Sequence, residues 1–123
     1  MEQSKWIKDK PKDDPTDEFS ATWLKEITTD TDTYTCRYWR SFYREFKNGY
    51  SNWNGKVSRW GWLFTIRNSE GIIIYKSEGH GYADSRAGAL SRSLNRINFW
   101  ESSDCDSDLQ QRMIDGFKVV NTW

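Results

Sequence analysis

Few side chains in this sequence could do chemistry, and their settings decide what that chemistry would be. The single histidine, His80, stands between Gly79 and Gly81. A Ser-His-Asp or Cys-His hydrolase needs its base fixed by a third group. Flanking glycines instead supply the backbone freedom of a turn, and the segment is read as one. Cys36 and Cys105 add only two thiols, so three side chains of the kind zinc prefers stand where a tetrahedral site wants four. Both cysteines are expected to be reduced, because no secretory leader precedes them.

Asp104, Asp106, Asp108 and Asp115 fall at positions one, three, five and twelve of a calcium-loop template. Leu109 occupies the place of the turn glycine, and Asp115 is shorter than the usual bidentate glutamate. The stretch reads better as an acidic connection in which Asp106 or Ser107 caps the next helix. Gly71, Gly79 and Gly81 are followed by no Gly-Lys-Ser or Gly-Lys-Thr, so a phosphate-binding loop is not indicated. The acids cluster in polar end segments, away from apolar neighbours that could raise a carboxyl pKa for acid–base work. The expectation is a protein that is not an enzyme, with no cofactor and no metal.

What remains is arginine interleaved with aromatic residues: Arg37, Trp39, Arg40, Tyr43 and Arg44, then Tyr50, Trp53, Lys56, Arg59 and Trp60. Protein interfaces are enriched in Trp, Tyr and Arg, which combine large contact area with polar tips. Single-stranded nucleic acid uses the same residues differently, stacking bases on rings while cations follow phosphates. Net charge bears on the choice. Lys plus Arg and Asp plus Glu both total 18, whereas a nucleic-acid module normally carries a basic excess. The charge is nonetheless uneven, with seven basic residues and one acidic in 34–67, and five basic against nine acidic in 1–33. The reading is non-catalytic docking of an acidic protein surface through Arg37, Arg40, Arg44, Tyr50, Trp53 and Arg59, with Arg92 and Arg96 as a second patch. A single-stranded nucleic-acid-binding module is the alternative. Size, aromatic richness and charged ends suit a small accessory or inhibitory protein of the kind phages and mobile elements carry against host machinery.

The elements that must position these residues follow from periodicity. With 123 residues, eight Trp, six Tyr and six Phe, the chain can build one core and not two. Residues 1–13 mix charges around a proline and are expected to be a mobile arm, leaving 14–123 as a single domain. Asp14 and Pro15 look like a helix start, and Phe19, Trp23, Leu24 and Ile27 share a helical face, which predicts a helix over 15–28. Residues 34–46 fit helix or strand and are assigned to a strand on their Thr and aromatic content. In 57–76, Trp60, Trp62, Phe64 and Ile66 alternate with Gly61, Leu63, Thr65 and Arg67, and the turn 68–71 leads into a second strand. This is a β-hairpin.

A helix follows, capped by Asp84 or Ser85, with Ala83, Ala87, Leu90, Leu94 and Ile97 as its apolar stripe. A short helix through Leu109 and Met113 ends at Gly116, and 118–123 could add an edge strand. The expected fold is α+β: an antiparallel sheet of three or four strands, an amphipathic helix on one face, and one or two short flanking helices. No apolar run approaches the length that spans a bilayer, so a cytoplasmic protein is expected.

Overall fold

The computed structural model describes residues 1–9, 22–43, 46–47, 50–51, 59–77 and 82–120. In chain order its elements are β1 (Glu2–Gln3), β2 (Ile7–Asp9), β3 (Thr22–Thr28), β4 (Thr33–Tyr43), β5 (Phe46–Lys47), β6 (Tyr50–Ser51), β7 (Arg59–Arg67), β8 (Ile73–Lys76), α1 (Arg86–Trp100) and α2 (Ser107–Val120). Six strands make one antiparallel sheet, ordered β1–β3–β4–β7–β8 with β2 also on β3, while β5 and β6 pair separately. The class is the expected α+β, with a wider sheet than three or four strands. Among the described residues no helix is long and apolar enough to cross a membrane.

The additional strands come from the N-terminal part of the chain. The helix expected over 15–28 is replaced in its second half by β3; residues 15–21 lie outside the described residues. Trp23 and Ile27 are four apart, a spacing that suits one turn of helix and two strand repeats equally. The long neighbour decides the matter, because β4 pairs with β3 from Trp23↔Tyr38 through Thr28↔Thr33 and satisfies its backbone as a ladder. The first nine residues, expected as an arm, lie along the far side of β3. Ile7 pairs with Leu24, Glu2 with Thr28, and Ser4 donates its N–H to the Glu26 carbonyl at 2.8 Å. Residues 10–13 lie outside the described residues.

Residues directly opposite one another on adjacent strands share a face. One face therefore carries Trp23, Tyr38 and Phe64 in one row and Lys25, Cys36, Ile66 and Tyr75 in the next. Both helices pack on this face, and an aromatic chain crosses it: Trp6 meets Tyr38 edge-on at 5.1 Å, Tyr38 meets Phe64 at 6.0 Å, Phe64 meets Tyr75 at 5.4 Å, and Tyr75 meets Phe117 at 5.6 Å. Phe64 and Ile66 of the alternating row are buried, and Trp62 packs against the core. The Trp60 side chain lies outside the described residues.

Helix α1 begins at the Ser85 cap, whose Oγ accepts the Gly88 N–H at 2.9 Å. Its buried face is Ala89, Ser93, Ile97 and Trp100, with Leu90 and Leu94 flanking. This rotates the expected stripe: Ala87 is exposed, and Ala83 belongs to a bridge with Trp62 before the helix. The rotation has a polar cause. Tyr38 Oη donates to Ser93 Oγ at 2.8 Å, and that hydroxyl donates to the Ala89 carbonyl at 2.8 Å, so a serine is the residue at the helix–sheet contact. At the start of α1 the Arg86 guanidinium lies 4.2 Å from the Trp6 ring centre and 4.4 Å from that of Trp23, a cation–π contact that ties the N-terminal strands to the helix.

Helix α2 starts where Asp106 Oδ1 accepts the Leu109 N–H at 2.9 Å, the cap read from the sequence. It continues past Gly116 to Val120, so 118–120 are helix and not edge strand; 121–123 lie outside the described residues. A glycine within a helix costs about 1 kcal/mol against alanine, less than ending the helix early would lose here in packing by Phe117 on Tyr75.

The far end of α1 is fastened to the β3–β4 turn by Glu101. Its Oε2 accepts both the Tyr34 hydroxyl and the Thr29 hydroxyl, each at 2.6 Å. Tyr34 is buried, and burial first, then the bond to Glu101 and its charge, holds its hydroxyl protonated far above the ordinary tyrosine range. Glu101→Ala should cost about 2 kcal/mol by leaving that buried hydroxyl without an acceptor, while Glu101→Gln, which keeps an acceptor oxygen, should cost less than half as much. Urea unfolding of the two variants beside the parent chain measures both.

Candidate functional site

Among the described residues, the second face of the sheet carries no helix. Antiparallel sheets commonly leave one face to solvent, and their alternation then places polar residues outward. Here the outward residues form rows. Leu24, Arg37, Thr65 and Lys76 stand side by side across β3, β4, β7 and β8, and Thr35, Arg67 and Ile73 form the next row. Trp39 stands opposite Leu63 one step further along. Together these rows line a shallow groove of about 540 Å³, entered at its β3 side by Thr22.

Leu63 is buried, Trp39 and Leu24 are half-buried, and Arg37 and Arg67 are exposed. Arg67 is steadied by the hairpin turn, donating from Nη1 to the Gly71 carbonyl at 2.9 Å. That turn is itself fixed. Asn68 Oδ1 accepts the N–H groups of Glu70 and Ile72, both at 3.0 Å, and Gly71 takes the positive φ of 79° that favours glycine. The groove thus has an apolar and aromatic floor edged by three cations, Arg37, Arg67 and Lys76, and among the described residues no carboxylate lines it. Glu26, on the same face opposite Thr35, lies outside it.

Compared with known protein families, with curated proteins and with solved structures, the chain matches none.

The residues singled out in the sequence are distributed over both faces. Arg37 is in the groove, but Arg40 is three residues on, an odd step that turns it to the helix-bearing face opposite Trp62. Arg44 and Trp53 lie outside the described residues, as do the side chains of Tyr50 on β6 and Arg59 on β7. Arg92 and Arg96 are exposed on α1, one turn apart, and belong to a separate surface on the other side of the sheet. The structure adds Arg67, Lys76, Leu24 and Ile73, none of which stood near the arginine run in sequence.

Of the residues weighed for catalysis or metals, His80 and its glycines lie outside the described residues. Asp104, Asp106, Asp108 and Asp115 are exposed, and Asp115 accepts from Gln111 Nε2 at 3.0 Å. Among the described residues no three His, Cys, Asp or Glu side chains gather as a metal site. Cys36 and Cys105 are free thiols, both buried in the core, and burial raises the pKa of each, that of Cys36 to about 12.

Proposed function

We propose that this protein acts by binding and not by catalysis, and that the sheet face left without a helix among the described residues docks an acidic protein surface. The supporting observation is the groove in which Arg37, Arg67 and Lys76 surround Trp39 and Leu24, with no carboxylate lining it among the described residues. Arginine and tryptophan are the residue types that most often dominate binding energy, because each brings a large flat area that desolvates well and, for arginine, a fork that pairs with carboxylates. The rigid sheet beneath holds them in place, so little ordering entropy is lost on association. A role as a small accessory inhibitor of other proteins' machinery is consistent with such a surface.

The single-stranded nucleic-acid reading shares the cations but needs successive rings on which bases stack. Trp39 is the one aromatic side chain lining the groove among the described residues, and the chain as a whole has no basic excess. Those two features favour the protein partner.

The test compares the parent chain with Trp39→Ala, with the double charge reversal Arg37→Glu and Arg67→Glu, and with Arg112→Glu on the exposed side of α2 as a control. Against a partner captured from host extract and then purified, Trp39→Ala should weaken binding about 30-fold, the equivalent of about 2 kcal/mol for an anchor residue. The double reversal should abolish it, and Arg112→Glu should leave it unchanged. Undiminished binding by the double reversal overturns the reading. Salt-dependent binding of a single-stranded oligonucleotide that the same reversal removes would transfer the groove to nucleic acid.

A further inference from the structure

A second cationic surface lies on the helix-bearing side and is independent of the open face. It is a groove of about 530 Å³ between β8 and α1, lined by Tyr75, Arg92, Asn95, Arg96 and Phe99. Its base is rigid. Tyr75 is buried and wedged between the rings of Phe64 and Phe117, and the buried face of α1 carries Ser93 and Ile97 beside the two arginines. The Arg96 guanidinium lies over the Tyr75 ring, 4.5 Å from its centre. A guanidinium held over a ring face uses none of its N–H donors there, which leaves the fork able to pair with an anion. Arg92 presents a second fork one helical turn away.

Two like charges at this spacing repel each other, and a carboxylate nearby would ordinarily relieve them. None lines the groove among the described residues. The group that fits two forks a turn apart is a tetrahedral dianion, which offers each arginine a pair of oxygens. Asn95 adds an amide that can donate to the same group, and half-buried Phe99 supplies an apolar wall for whatever the anion is attached to. We propose that Arg92 and Arg96 form a binding site for the phosphate of a small phosphate monoester carrying a flat ring, in a groove of the size that small-molecule sites commonly have.

The experiment is a titration of the full chain, followed by amide NMR, with adenosine 5′-monophosphate, adenosine and inorganic phosphate in separate arms. The monophosphate should perturb amides in α1 around Arg92 to Phe99, inorganic phosphate should perturb the same amides more weakly, and adenosine should leave them unmoved. Arg92→Ala and Arg96→Ala should each weaken the monophosphate at least tenfold, Arg96→Lys several-fold because charge remains without the guanidinium fork, and Arg112→Ala on the exposed side of α2 not at all. Both arginines are exposed, so these variants keep the fold, which their unchanged thermal unfolding would show. The proposal is overturned if neither phosphate probe perturbs α1, if adenosine binds as tightly as its monophosphate, or if Arg96→Ala binds like the parent.

Discussion

Replacing Gly61 by valine should destabilise the protein by about 3 kcal/mol, at the upper end of what overpacking of a filled site costs. Gly61 lies in the middle of β7 opposite Ser41, and no backbone angle requires a glycine there. Space does. A Cβ at this position would come 2.5 Å from the Cβ of Tyr82 and 2.9 Å from both its Cγ and Cδ1, closer than carbon atoms approach. Tyr82 cannot swing away cheaply, because the next residue is tied to β7 by two backbone hydrogen bonds, Trp62 N–H to the Ala83 carbonyl at 2.8 Å and Ala83 N–H to the Trp62 carbonyl at 3.0 Å. The clash would therefore be relieved by breaking that bridge, which carries the chain from the sheet into α1. For a chain of this size the change corresponds to a fall in Tm of roughly 10 °C. Tyr82→Gly in the same background removes the opposing atoms and should recover at least half of the loss, although it costs something alone. A full additive loss in the double variant would show that the glycine matters for another reason.

Gly61 illustrates which parts of the fold were legible. The hairpin and the helix after it could be read because strict alternation from Trp60 to Arg67, a turn with Asn and Gly at its ends, and a serine cap all agree locally. β3 could not be, since Trp23 and Ile27 satisfy two periods at once and the deciding partner, β4, is supplied by tertiary pairing. The rotated stripe of α1 has a related cause: Ala89 and Ser93 look unremarkable beside Leu90 and Leu94, and only the hydroxyl of Tyr38, far away in sequence, makes Ser93 a core residue.

The groove was half legible. Tyr34, Cys36 and Tyr38 share a parity, which leaves Thr35, Arg37 and Trp39 on the other face of β4, and that signal alone separates Arg37 from Arg40. Arg67 and Lys76 join Arg37 only through the register Arg37↔Thr65↔Lys76 and Thr35↔Arg67, and register between strands so distant in sequence is written in no single segment. The charge asymmetry of 34–67 pointed to a cationic surface, and the sheet divides those cations between two faces.

The core also sets a limit on stability at high pH. Tyr34 and Tyr38 are both buried with hydroxyls that donate to Glu101 and Ser93, and Cys36 lies between them on the same face of β4. Burial is the main cause that raises all three: the Cys36 thiol goes from 9.0 to about 12, and both tyrosine hydroxyls go far above 10.0. A group whose pKa is higher in the folded state holds its proton there after the unfolded chain has released it. Its contribution to stability is whole below the unfolded value and declines as pH rises toward the folded one.

Stability should therefore be level to about pH 8, fall from pH 9 as the unfolded thiol ionises, and steepen above pH 10 when both tyrosines join. Three groups bound only in the folded state give a slope of about 4 kcal/mol per pH unit there, enough to unfold a domain of ordinary stability within roughly two to three units. The measurement is tyrosinate absorbance and circular dichroism on one sample. Of the six tyrosines, at least two should ionise only as the dichroism is lost, and together with it. Tyr38→Phe should reduce the slope by about a third, because one of the three protons no longer enters the balance. Ionisation of all six near the ordinary tyrosine pKa with the dichroism intact would contradict the burial on which the prediction stands.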